Sequence, residues 1–215
     1  VQDLTLYIGN KNYSSWSFRP WIAMRAFDIG FTEKLVPFDM AAGNPDFAAF
    51  SPTNKVPVLK HGPLSIWESL AIIEYLAELH ADRMLWPQDG AARAHARSVS
   101  CEMISGFFGL RAECPMNMRR SPQAIEISDA AKRDVARIEA LWADCLDRYG
   151  GPFLFGEFGA ADAMYAPVVN RFDVYCLPVA ATTRAYMDRM RALPAWREWE
   201  TAGRAEPWIV EVDEV

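Results

Sequence analysis

No stretch of this chain approaches the ~20 consecutive apolar residues of a bilayer-spanning helix, so no membrane segment is expected. A basic excess is also missing. Lys and Arg number 22 against 28 Asp and Glu, a formal net charge of -6. Nucleic acid is therefore not an expected partner, because phosphate binding calls for a positive face. Cysteine is scarce: Cys101, Cys114, Cys145 and Cys176 are widely spaced and form no Cys-x-x-Cys pair. That argues against a disulfide framework and a thiolate zinc site, and fits reduced thiols. The three histidines, His61, His80 and His95, show no metal-ligand spacing, so no metal is expected. Val1-Gln2-Asp3 opens no basic segment leading into an apolar one. No secretory leader is expected, and the expected location is cytoplasmic.

What is present is globular in character. Hydrophobic residues make up 51% and charged residues 23% of the 215, enough to bury a core in one large or two modest domains. The first part alternates β-like and helical runs. Leu4 to Ile8 is a compact apolar strand, followed by a polar loop and a helix over Ser17 to Asp28. Leu35-Val36-Pro37-Phe38 reads as a second strand. Val56 to Lys60 and Leu64 to Trp67 read as a hairpin around His61-Gly62-Pro63, and Glu68 to His80 as an amphipathic helix. Beyond Ala91 the pattern is helical, with segments at Ser128 to Tyr149, Ala160 to Tyr175, Ala181 to Leu193 and Ala195 to Ala202. The expected organisation is an α/β domain over 1-81, a linker over 82-90 and an all-helical domain over 91-215.

Three local motifs bear on chemistry. In Tyr13-Ser14-Ser15-Trp16-Ser17, Ser17 is a plausible helix N-cap, with Pro20 in the first turn. Ser14 and Ser15 then precede a helix amino terminus, whose partial positive charge and free N–H groups would stabilise a thiolate. Taken alone, they are equally ordinary loop and cap serines. Lys55-Val56-Pro57 puts a proline at the head of a strand, which suits either an edge strand or a cis peptide presenting backbone to an extended ligand. Glu68-Ser69 lies where a strand passes into a helix. Together they suit the zwitterionic end of an amino acid, or else simply cap the helix.

In combination, the serine loop, Val56-Pro57 and Glu68-Ser69-Leu70-Ala71-Ile72-Ile73-Glu74-Tyr75-Leu76 resemble the glutathione transferase family over essentially the whole chain, most closely the zeta class and its bacterial serine-type relatives. The resemblance implies a thioredoxin-like amino-terminal domain with a mixed four-stranded sheet, an all-α carboxyl-terminal domain and glutathione as co-substrate. It implies an enzyme that adds glutathione to a small electrophile, or uses it to isomerise one. Ser14, or Ser15 one residue on, would hold the thiolate. Val56, with Pro57 cis, would pair with the cysteinyl backbone, Glu68 and Ser69 would hold the γ-glutamyl group, and Lys55 would reach the glycyl carboxylate. Trp16, beside the bound thiol, stands where the zeta class carries a cysteine, so chemistry needing that thiol is put in doubt. A homodimer is also implied, built from the Glu68 to His80 helix against the partner's first long helices. The alternative function is a non-catalytic module of the same fold.

The electrophile pocket is expected between Trp16 and the first helices of the second half. Met103, Phe107, Phe108 and Met116 would supply apolar lining, and Arg111, Asn117, Arg119 and Arg120 would read a carboxylate. The resemblance adds Arg171 to this pocket, because it lies in a helix that often contributes to it in zeta-like proteins. The apolar residues serve equally as helix-packing core, and Arg119 and Arg120 as a helix cap. Asp162 follows Gly159 at the spacing of a capping box and is expected to be structural. Trp196, Trp199 and Trp208 are expected to pack helices and cover the active-site side.

Overall fold

The computed structural model describes residues 3–215. Its sheet has the order β2-β1-β3-β4, with β1 at Leu4–Ile8, β2 at Thr32–Leu35, β3 at Val58–His61 and β4 at Leu64–Trp67. β1 runs parallel to β2 and antiparallel to β3. The β3–β4 hairpin turns through Gly62-Pro63 with His61 opposite Leu64, and Gly62 supplies the positive φ of 54°. Period-2 alternation sorts β1 between two cores. Leu4, Leu6 and Ile8 face the main core with helices α1 (Ser15–Ala26) and α2 (Ser69–Leu79), while Tyr7 packs with Phe47, Phe50 and Val58 around a 3-10 turn at Pro45–Ala49.

The second half contains α3 (Gly90–Ser105), α4 (Phe108–Glu113), α5 (Asp129–Tyr149), α6 (Ala160–Val174), α7 (Ala181–Ala192) and α8 (Pro194–Ala205). The architecture is a thioredoxin-like α/β unit followed by a helical array, as the resemblance implies. Every residue of α6 except Asp173 is buried, so this helix is the axis around which the others pack. α5 shows the usual surface pattern instead. Ser128 caps its start through a bond from Ala131 N, and Gly150 at φ 79° ends it.

Asp162 is the anchor of α6. Its carboxylate accepts from Gly159 N at 2.9 Å, Leu154 N at 3.0 Å and the Tyr186 hydroxyl at 3.0 Å. Glycine offers no side chain in return, so only Asp162's half of the capping box forms. Burial pushes this carboxyl up to about 6, and the three donors restrain the rise.

Several boundaries differ from the sequence reading. β3 begins at Val58, two residues after the expected Val56, and takes in His61 from the expected turn. α1 begins at Ser15 with Ser14 as N-cap, two residues before the expected start, which puts Pro20 inside the helix. β2 lies at Thr32–Leu35, ahead of the expected Leu35 to Phe38. It is a half-exposed edge strand, and Pro37 has no N–H with which to continue the ladder. α8 runs to Ala205, beyond the expected Ala202. Among the described residues no helix is long and apolar enough to cross a membrane.

Candidate functional site

The serine loop is held from several sides. Ser14 N donates to Asn10 O at 2.7 Å, and the buried Ser14 hydroxyl donates to Ser17 Oγ at 2.7 Å. Ser17 Oγ also accepts from Gly9 N at 3.2 Å, which ties the end of β1 to the start of α1. The loop's Lys11 is buried with its ammonium 2.8 Å from Glu33, and it lies over the Trp21 and Trp199 rings. Phe18 stacks on Trp199 and meets Trp196 edge-on, so the two buried tryptophans fix the helix that presents the serines. Gly203 of α8 allows this closeness: a Cβ there would lie 3.1 Å from Asn12 N and from Lys11 C.

Pro20 has a specific consequence. Lacking an N–H, it cannot bond the carbonyl four residues back, which belongs to Trp16. That carbonyl instead accepts from the Ser69 hydroxyl at 2.7 Å, joining the start of α1 to the start of α2. The Ser69 hydroxyl proton, expected from sequence to serve a ligand carboxylate, is therefore committed to the protein. The Ser69 N–H, in the first turn of α2, has no intrahelical acceptor. Glu68 just before it sits at φ 66°, a region a non-glycine residue occupies only when its surroundings hold it there, and its side chain is exposed. The Val56-Pro57 peptide is cis.

Two adjoining cavities meet at these motifs. The larger, about 340 Å³, is bordered by Tyr13, Ser14, Ser15 and Met116, with Phe38 and Phe47 on the sheet side. The smaller, about 230 Å³, is bordered by Pro57, Trp67 and Glu68. Trp16, Lys55, Val56 and Arg111 border both. Two guanidinium groups lie over the Trp16 ring, with Arg19 Cζ at 4.1 Å and Arg111 Cζ at 4.9 Å from its centroid.

Positive charge concentrates here, and among the described residues Arg19, Arg111 and Arg171 form no salt bridge. Arg19 is fully buried and donates only to the carbonyls of Met164 and Ser15, each at 2.9 Å. Arg171 is buried in the wall of the larger cavity. Its Nη1 donates to Cys114 O at 2.5 Å and Arg111 O at 3.2 Å, and its Nε has no partner. Burial first, then the neighbouring Arg111 charge, lowers Arg171 to about 10.

Of the expected pocket residues, Arg111, Arg171 and Met116 line the larger cavity, whereas Met103, Phe107 and Asn117 do not. Met103 is fully buried in the core, and Phe107 packs against Tyr165. Asn117 Oδ1 accepts from Arg119 N and Arg120 N, so it shapes the chain after α4. Phe108 is exposed and stacks under Arg111. Arg119 is a tail clamp. It donates to Glu206 O, Trp208 O and the Tyr13 hydroxyl, and Tyr13 in turn donates to Glu214.

The sequence reading expects the tail to cover this side through its tryptophans, but the residues that reach the cavity are others. Glu206 accepts from Lys11 N at 2.7 Å and Asn12 N at 3.1 Å, and the following strap puts Val210, Val212 and Asp213 against the larger cavity. Trp208 itself is largely exposed. Away from both cavities, His95, Asp144 and Cys145 bring their ligand atoms within 4.8 Å of one another across α3 and α5, a grouping invisible in the sequence spacing. Burial pushes the Cys145 thiol up to about 12, and Asp144 is paired with Arg148 at 3.0 Å.

Residues 13–79 match the family described as "Glutathione S-transferase, N-terminal domain", and residues 122–202 the one described as "Glutathione S-transferase, C-terminal domain". A probable maleylacetoacetate isomerase of Caenorhabditis elegans is 30% identical over 175 residues, spanning 80% of this chain and 82% of that one. A maleylacetoacetate isomerase of Rattus norvegicus is 29% identical over 182 residues, spanning 80% and 81%. Among solved structures, a glutathione transferase homologue from Burkholderia with bound glutathione superposes with a TM-score of 0.73 at 24% identity, over 94% of this chain and 99% of that one.

Proposed function

The chain belongs to the glutathione transferase family, and on that premise we propose that it binds glutathione, holds the sulfur as thiolate beside Ser14 and adds it to a small electrophile, or uses it to isomerise one. The observation that carries this reading is the meeting of the serine loop, cis Val56-Pro57 and Glu68 on two cavities that share Trp16, Lys55, Val56 and Arg111, with Ser69 next to Glu68 at the start of α2. The relatives named as maleylacetoacetate isomerases and the glutathione-bound neighbour support it.

The residues suit the tripeptide. Glu68 is exposed at the mouth of the smaller cavity and can accept from the γ-glutamyl ammonium, while the Ser69 N–H faces its carboxylate at a helix start. Val56 offers backbone to the cysteinyl unit, and Lys55 the charge for the glycyl carboxylate. The sulfur would then lie at the amino end of α1, where the Ser14 hydroxyl can turn from Ser17 to donate to it. The attacking thiolate forms the new sulfur–carbon bond with an electrophile held against Arg111 and Arg171, either as a carbon–carbon π bond opens and its far carbon takes up a proton, or as a carbon–halogen bond breaks and halide leaves; alignment supplies the rest of the acceleration. Trp16 offers no second thiol, so addition is preferred over thiol exchange.

On the same reading, residues 1-81 form the glutathione domain, 82-90 the linker and 91-215 the electrophile domain, in a cytoplasmic homodimer. The exposed Leu64, Trp67 and Met84 support a partnered face near α2. The test is calorimetry with glutathione, followed by turnover with maleyl-type diacids, α-halo acids and aryl halides. Glutathione-dependent consumption of any class supports the enzyme. Absence of binding heat even at high glutathione concentration would identify a non-catalytic module.

A further inference from the structure

The tail that completes the larger cavity also carries a negative charge into it. Asp213 borders the cavity together with Arg111 and Arg171, and it has no ion-pair partner among the described residues, whereas its neighbour Glu214 is held by Arg119 and Tyr13. The position of Asp213 is fixed by what surrounds it. Glu206 anchors the strap to the serine loop, and Val210 is buried. Asp213 N donates to Val210 O at 2.9 Å, closing the turn. In the same cavity wall, Arg171 is buried with an Nε that has no partner among the described residues. The two share the lining of one cavity without forming a salt bridge; burial raises the Asp213 carboxyl, and the Arg171 charge acts against that rise. The other charged group on the cavity, Lys55, is exposed and lies at the end shared with the smaller cavity, where the glycyl carboxylate is assigned.

We propose that Asp213 is a specificity-determining residue for the electrophile: sharing one cavity with Arg111 and Arg171, it makes that cavity favour a partner with one carboxylate over a partner with two. This rests on the glutathione transferase reading of the site. The two guanidinium groups attract an acid, but the fixed carboxylate leaves them only one net positive charge to offer. A second ligand carboxylate meets Asp213 in a partly dry space, where like charges repel far more than in water. Selectivity set by such a repulsive group needs no steric block.

The experiment uses three glutathione conjugates as probes: S-propyl, S-carboxymethyl and S-(1,2-dicarboxyethyl) glutathione, carrying zero, one and two carboxylates on the sulfur substituent. Calorimetry compares the wild-type chain, Asp213→Asn and Glu214→Gln, the last removing the same charge from the strap outside the cavity. The expected result is that the wild-type chain binds the monocarboxylate conjugate more tightly than the dicarboxylate. Asp213→Asn should shift that preference toward the dicarboxylate by about tenfold, and Glu214→Gln by less than about twofold. The S-propyl conjugate reports whether the site is intact in each variant. If all three conjugates bind but Asp213→Asn leaves the preference unchanged, or Glu214→Gln shifts it equally, the specificity role is overturned while the glutathione site stands. If no conjugate binds the wild-type chain, both readings fall.

Discussion

Ser69 donates its hydroxyl to the carbonyl of Trp16 at 2.7 Å, across 53 positions of sequence, and that carbonyl is available because residue 20 is proline. One missing N–H in α1 thus creates the acceptor that positions the start of α2, and with it Glu68 and the Ser69 N–H.

Two substitutions separate this tether from ordinary helix stability. Ser69→Ala should cost about 1 kcal/mol of stability and weaken glutathione binding severalfold. Pro20→Ala restores a helix N–H that competes for the Trp16 carbonyl, so it should weaken binding while leaving stability unchanged or raised. Denaturant unfolding and calorimetry on both variants check this. Equal binding by all three proteins would show the tether to be irrelevant to the ligand.

Ser14 and Ser15 both border the larger cavity, but only Ser14 has its hydroxyl paired with another hydroxyl, Ser17, from which it can turn. In Ser14→Ala the bound thiol should return toward its free value of ~8.5, turnover should fall at least about tenfold and glutathione affinity should stay within a few-fold. Ser15→Ala should lose less. Thiolate absorbance against pH reads the first effect, and the reverse ranking of the two variants would move the role to Ser15.

Asp162 gives a pH signature of stability. Its carboxyl is raised from 3.8 to about 6 in the folded chain, so between those values the native state binds more protons than the unfolded state. Its contribution is complete below about pH 4 and falls as pH rises through about 6. Relative to Asp162→Asn, the stability advantage of the wild-type chain should shrink by up to about 3 kcal/mol between pH 4 and 7. Thermal or urea unfolding of both across that range provides the measurement, and an advantage that grows with pH contradicts the assignment.

Glu206→Ala should leave the buried Lys11 and Asn12 N–H groups without an acceptor, at a cost of about 2–4 kcal/mol, and should slow turnover by loosening the serine loop. Glu206→Gln keeps one acceptor and should fall between. A turnover loss in Glu206→Ala with unchanged stability would separate the strap from the fold and refute the anchoring role.

The sheet hairpin, α2 and α5 were legible because their apolar spacing is local and regular. β2 was misplaced because Thr32-Glu33-Lys34-Leu35 is a polar edge strand, held by backbone pairing to β1 rather than by an apolar face. α1 started early because Ser14 caps it without a side-chain bond, leaving no capping pattern to read. At the site, Arg111 and Arg171 could be named as chemistry awaiting a place. Met103 and Phe107 could not be told from core by residue type alone. Asp213 and the strap carry no local pattern of their own: Glu206 anchors the strap through contacts made about 195 positions away, and Asp213 meets Arg111 and Arg171 only where the folded chain closes the cavity.

Gly203 and Glu206 fit against Lys11 and Asn12 so closely that the loop beginning near residue 10 is completed by residues beyond 200. A polypeptide is made from its amino end, so the serine loop emerges first and waits for almost the entire chain before its last neighbours exist. Synthesis therefore delivers the serine loop early and its closure late, and a chain interrupted before α8 would carry every motif proposed to hold glutathione yet present an unfinished loop.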